Sequence, residues 1–225
     1  MLEAVIDLLL PPRCGGCGAA GSLYCALCRG RTRRLEEPTC ARCGAEVEHA
    51  RATCGCRARL RALTRLRSTA AYEGPVEKAL HRFKYEGRRP LHRPLAMLLA
   101  EHLAVEGLAA EAVTWVPLHP ARQRRRGYNQ AELLGRELAR LCGLPALAGL
   151  VRLRDTPPQV GLDRLRRQAN VAGAFGWEGP ELGRRSLLLV DDVATTGATL
   201  EACAGALKAA GAGPVIGFTV ARVKL

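Results

Sequence analysis

Eight of the ten cysteines lie between positions 14 and 56, as the pairs Cys14/Cys17, Cys25/Cys28, Cys40/Cys43 and Cys54/Cys56. A pair with two intervening residues can place both thiolates on one tetrahedral ion, and Gly18 and Gly44, just after the second cysteine, permit the tight turn such a knuckle requires. Four close pairs predict two zinc sites with four thiolate ligands each. Sequential pairing gives Cys14, Cys17, Cys25 and Cys28 one ion and Cys40, Cys43, Cys54 and Cys56 the other, and an interleaved arrangement satisfies the spacing equally. The last pair has a one-residue spacer, so His49 is an alternative to one of its members. Disulfides are disfavoured: the opening Leu2 to Leu10 carries acids within its apolar run, lacks a basic start and stops at Pro11-Pro12, which makes a poor secretion signal. A small Gly- and Arg-rich segment of this kind scarcely folds without metal, so the sites are expected to be structural.

A second constellation runs from Leu187 to Thr199. Leu187, Leu188, Leu189 and Val190 suit a strand buried on both faces, and Asp191 and Asp192 follow them directly. Ala194, Thr195, Thr196, Gly197, Ala198 and Thr199 then lead into a helix marked by Leu200, Cys203 and Leu207. Backbone N–H groups, short hydroxyls and a glycine at a helix start can wrap a phosphate, while the carboxylates suit vicinal hydroxyls or a hydrated Mg²⁺. Acids before a helix can be simple caps, but caps alone do not call for the Thr-Thr-Gly-Ala-Thr run. The chain lacks a G-x-x-x-x-G-K-[ST] loop, and no G-x-G-x-x-G follows a strand, which argues against a P-loop or dinucleotide site.

Two further stretches have ligand-binding character. Leu118 and His119 leave a short strand, Val113 to Pro117, for a basic loop over 122–128 containing Arg122, Arg124, Arg125 and Arg126; arginines before a helix can hold a pyrophosphate. Asn129 begins that helix, with Glu132 completing a capping box and Leu134, Leu138 and Leu141 as its buried stripe. The segment from Arg152 to Asn170, rich in Pro, Gly and charge, reads as a mobile loop able to close over a substrate.

The elements positioning these groups alternate. A strand over 64–72 is followed by a helix with Val76, Ala79, Leu80 and Phe83 at core spacing, and a second helix covers about 91–105. Val171 to Phe175 return to the sheet, and Val215 to Val220 form a final strand. Such alternation predicts an α/β domain with a parallel sheet over 63–225, preceded by an N-terminal helix and zinc-ribbon module over 1–62. No segment reaches the roughly 18 apolar residues of a membrane-spanning helix, so a soluble protein is expected. The net charge is +13, and 30 of the 34 basic residues are arginine, which favours phosphate-bearing partners.

Taken together, these motifs resemble a known family. Val190 to Thr199 is similar to the phosphoribosyl pyrophosphate signature of type I phosphoribosyltransferases. The zinc ribbon, Phe83-Lys84-Tyr85-Glu86-Gly87, Val116-Pro117-Leu118-His119-Pro120, Arg126 to Leu133, and Asp155-Thr156-Pro157-Pro158-Gln159 with Arg167 and Asn170 resemble the competence protein F family (ComF, GntX-like) over nearly the whole chain. The resemblance implies a type I phosphoribosyltransferase-like fold and a cytoplasmic protein that binds phosphoribosyl pyrophosphate with Mg²⁺ and supports single-stranded DNA uptake or processing in natural transformation, with a helicase-like partner. It also implies that Asp191 and Asp192 meet the ribose hydroxyls and that Ala194 to Thr199 hold the 5′-phosphate. Leu118, His119, Arg122 and Arg126 would form the pyrophosphate loop, and Thr156, Gln159, Arg167 and Asn170 would belong to the mobile loop. The hood that recognises the base in salvage enzymes has no counterpart, which leaves an active transferase and a non-catalytic zinc-ribbon adaptor as alternatives.

Overall fold

The computed structural model describes residues 11–49, 54–56, 58–153 and 173–224. The expected N-terminal helix over 2–10 and the mobile-loop residues Thr156, Gln159, Arg167 and Asn170 lie outside these residues.

Four parallel strands form the central sheet: β1 (Arg65–Ala71), β2 (Ala112–Trp115), β5 (Leu187–Ala194) and β6 (Val215–Arg222), in the order β1-β6-β5-β2. All of β6 and the first half of β5 are buried, as the continuous apolar runs of a sheet covered on both faces require. Two neighbouring residues of β6 locate the covering layers. A side chain at Gly217 would touch Leu200 of α6 (Ala198–Ala209), whereas Phe218 stacks on His102 of α3 (His92–Glu106), with ring centroids 5.4 Å apart. Successive strand residues point to opposite faces, so α6 and α3 sandwich the sheet. Helix α5 (Gln130–Cys142) packs beside α3 and against β2 and β5. Leu134 and Leu138 supply its buried stripe as expected, but Leu141 is turned to the exterior. Asn129 caps α5 by accepting from the Ala131 N–H at 3.1 Å, while Glu132 pairs with Arg136 rather than completing a capping box.

Among the described residues of the 171–175 stretch, none joins the main sheet as expected. Phe175–Trp177 form β4, which pairs antiparallel with β3 (Leu150–Arg152) in a separate two-stranded sheet, and residues 171 and 172 lie outside the described set.

The cysteine-rich segment covers the outer edge of β1. The Ala71 N–H donates to the Arg33 carbonyl at 2.9 Å, the Leu66 N–H to the Arg42 carbonyl at 2.8 Å, and Arg34 forms an antiparallel bridge with Ala70. Three arginines fasten the segment further: Arg82 donates to the carbonyls of Cys14 and Gly15, Arg222 to that of Cys43, and Arg67 to that of Ala41, at 2.7 to 3.0 Å. Glu201, in the first turn of α6, accepts the backbone N–H groups of Arg61, Ala62 and Leu63 at 2.6, 2.6 and 3.1 Å. This single carboxylate therefore ties the end of the ribbon to the helix that follows the acidic turn.

Candidate functional site

The eight cysteines form two clusters, Cys14/Cys17/Cys25/Cys28 and Cys40/Cys43/Cys54/Cys56, with the sulfurs of each cluster within 4.8 Å of one another. The pairing is sequential. His49 is exposed and belongs to neither cluster. The thiols are free, and Sγ–Sγ separations of 3.8 Å (Cys17–Cys25), 3.6 Å (Cys40–Cys56) and 3.5 Å (Cys43–Cys54) are far from a disulfide bond. Zn–S bonds of about 2.3 Å place the corners of a tetrahedron about 3.8 Å apart, so each cluster has the dimensions of one such ion's ligand shell. Burial pushes the Cys14 thiol up, but the N–H groups of Cys17, Cys25 and Gly16 outweigh it and lower the pKa to about 6. Cys40 is lowered to about 7 against the same opposing burial by the N–H groups of Cys43 and Arg42. One thiol in each cluster is thus readier to ionise than a free cysteine. Gly44 has φ 64°, and a side chain there would meet the Leu66 carbonyl at 2.7 Å, so the second knuckle needs glycine both for its turn and for its approach to β1.

A cleft of about 590 Å³ opens at the carboxyl ends of the strands, the position at which open α/β sheets bind ligands. Asp191 and Asp192 lie within β5 rather than beyond it; register sets Asp191 beside Thr219 of β6. Both carboxylates line the cleft with Ala194, Thr195, Gly197, Ala198 and Thr199, and Thr196 accepts the Ala198 N–H at 3.3 Å. Gly197 has φ 81°, and a side chain there would press on Leu66 and Leu60 at 3.1 and 3.3 Å. The turn therefore rests directly on Leu60 of the ribbon module and on Leu66 of β1.

The 122–128 segment, expected as a loop, is mostly helical. Pro120–Arg126 form α4, with the His119 ring accepting the Ala121 N–H at 3.3 Å and Gly127 in the left-handed region ending the helix. Leu118, Arg122, Arg125 and Arg126 line the cleft, while Arg126 also bonds to Gln130 and lies over the Tyr85 ring, 5.2 Å from its centroid. The structure thus gathers Asp191, Asp192, the 194–199 turn, Leu118, Arg122 and Arg126 around one space.

Tyr72, Lys84, Tyr85 and Gln130, to which the sequence assigned no individual role, also line that space, together with Arg125 of the basic segment and Arg152. Lys84 stands in the last turn of α2 (Gly74–Tyr85), next to the buried Phe83, and its Nζ lies 2.9 Å from Asp192 Oδ1. The two side chains are only 17% and 12% exposed. Burial pushes the Lys84 ammonium down, but the Asp192 and Asp191 carboxylates outweigh it and leave its pKa raised. Asp191 moves in the protonated direction: burial, reinforced by the neighbouring Asp192 charge, raises it to about 7, against the Asp192 N–H and Lys84. In the sequence Lys84 stands within the Phe83 to Gly87 stretch, at the end of a helix with a clear apolar stripe, and nothing there pairs it with Asp192.

Comparison with known proteins gives a consistent family. Residues 5–58 match the double zinc ribbon domain. The chain is 36% identical to "Competence protein F" of Haemophilus influenzae over 84% of its own length and 87% of that protein's. It is 34% identical to "DNA utilization protein YhgH" of Escherichia coli, covering 85% and 86% of the two. Among solved structures, a phosphoribosyltransferase from Corynebacterium diphtheriae overlays 59% of this chain and 62% of that one at 24% identity, with a TM-score of 0.37, too partial a likeness to define the fold. At this identity and coverage, the chain belongs to the competence protein F family, as an α/β protein with a mostly parallel sheet and an N-terminal zinc-ribbon module.

Proposed function

We infer that the protein binds phosphoribosyl pyrophosphate with Mg²⁺ and acts on single-stranded DNA in natural transformation. The observation that carries this reading is the meeting, in one cleft, of two adjacent carboxylates, a glycine-containing turn at the start of α6, and Arg122, Arg125 and Arg126 of α4. The carboxylates accept hydrogen bonds from the ribose 2- and 3-hydroxyls. The turn from Ala194 to Thr199 offers N–H and hydroxyl donors to the 5-phosphate at the positive end of a twelve-residue helix, and the arginines face the pyrophosphate. Asp191 and Asp192 are hard oxygen donors of the kind Mg²⁺ accepts; bound with the ligand, Mg²⁺ neutralises charge on the pyrophosphate. The two cysteine clusters hold structural zinc, and reduced thiols fit a cytoplasmic protein. Among the described residues, no helix is long and apolar enough to cross a membrane. The DNA part of the reading is supported by the names of the relatives and by the arginine excess. We place the division between the ribbon module and the ligand-binding domain near residues 62 and 63.

Titration calorimetry with phosphoribosyl pyrophosphate and Mg²⁺ tests the site. Binding should be lost in the Asp191→Asn/Asp192→Asn double variant, and equal heat in variant and wild type would overturn the assignment. The placement of three arginines beside the carboxylates also suits a departing pyrophosphate, which favours an active transferase as the second reading. Pyrophosphate release that depends on one added acceptor would establish it. Full transformation by the same double variant would instead favour a zinc-ribbon adaptor.

A further inference from the structure

Each carboxylate of the cleft has one oxygen already committed to the protein. Asp191 Oδ1 accepts the Asp192 N–H at 2.8 Å, and Asp192 Oδ1 accepts from Lys84 Nζ at 2.9 Å. Lys84 is held there because Val76, Ala79, Leu80 and Phe83 bury one face of α2 and carry the helix's last turn to the carboxyl edge of the sheet. Among the described residues, Arg122, Arg125 and Arg126 add three cationic side chains to the lining, against two carboxylates. A dication entering the cleft alone would have to displace a buried ammonium and sit near Arg122, Arg125 and Arg126. A sugar diol faces neither obstacle, since it donates two hydroxyls to the remaining carboxylate oxygens. Lysine suits this position because its compact charge can hold one oxygen singly, whereas the guanidinium fork tends to take both.

We propose that Lys84 is a positioning residue that reserves Asp192 for the ribose hydroxyls and keeps free divalent cations out of the unliganded cleft. The metal then enters only with a ligand whose phosphate oxygens supply most of its shell. This inference rests on the ribose-phosphate reading above and adds a residue and an order of binding to it.

Mn²⁺ alone, and separately ribose 5-phosphate and 2-deoxyribose 5-phosphate without metal, are titrated calorimetrically into wild-type, Lys84→Gln and Lys84→Arg protein, with folding followed by thermal denaturation. Lys84→Gln should bind Mn²⁺ about tenfold or more tighter than wild type and lose most of the preference for the ribose over the deoxyribose sugar. Lys84→Arg should still exclude Mn²⁺. Equal Mn²⁺ affinity in wild type and Lys84→Gln overturns the proposal, as does wild-type Mn²⁺ binding tighter than about 0.1 mM, a test that holds even if Lys84→Gln does not fold. A wild type that binds neither sugar phosphate, with the Mn²⁺ contrast intact, sinks the ligand reading and leaves the cation exclusion standing. A purely structural lysine would move the melting temperature and neither of these ratios.

Discussion

Asp191 couples the cleft to pH through its own burial. Its pKa is raised from 3.8 to about 7, so the folded chain holds a proton there that the unfolded chain releases. The stability this group contributes is full below about pH 4 and is lost as pH rises through about 7. The denaturation midpoint should therefore rise on acidifying from pH 7.5 to 5 and rise less in Asp191→Asn, and an unaltered slope would show that another group is responsible. Glu201 is the second informative residue. Removing it orphans three backbone N–H groups at once, so Glu201→Ala should lower stability by about 2–3 kcal/mol in chemical denaturation. At this scale the sequence was legible where chemistry is local: Asp191 to Thr199 are neighbours in the chain and remain neighbours in the cleft. Lys84 and Glu201 act on partners distant in sequence, and nothing beside them in the chain announces those partners.

Among the elements, β1 shows most clearly what spacing conveys and what it omits. Its extended stretch between Thr64 and Tyr72 reads as a strand, but does not say that one flank pairs with β6 and the other with the cysteine-rich segment. Parallel strands carry exposed edges unless something covers them, and here the cover is a module with two four-cysteine clusters able to hold metal. Cys40→Ser should leave one of two zinc equivalents by elemental analysis and raise hydrogen exchange at the Leu66 and Ala71 amides; unchanged protection there would separate the edge from the metal. The short α4 escaped a reading based on apolar periodicity because it buries no side chain, although Pro120 at its start and Gly127 at its end are ordinary boundary signals. Strands β3 and β4 have three residues each, too few for a period to register, and their separate pairing is set by tertiary contact.

For the molecule as a whole, the charge of +13 makes a quantitative demand. If arginines contact DNA phosphates, log affinity for a single strand should fall linearly with log salt, with a slope of about −0.7 for each phosphate neutralised. Filter binding or fluorescence anisotropy between about 50 and 200 mM salt measures it, and a slope near zero would exclude an electrostatic groove. The parallel α/β plan and the ribbon module followed from the alternation of elements and the cysteine pairs, while the way the two halves interlock depended on buried side chains such as Arg222 and Arg67. That interlocking bears on synthesis. The inner neighbour of β1 is β6, which leaves the ribosome after every other strand of the sheet, so for most of translation β1 has no sheet partner on that side. The ribbon emerges before β1 and can fold on its metal at once, offering hydrogen bonds along the opposite flank. Zinc supply during translation, rather than in the finished protein, would then govern how much of the nascent chain escapes aggregation.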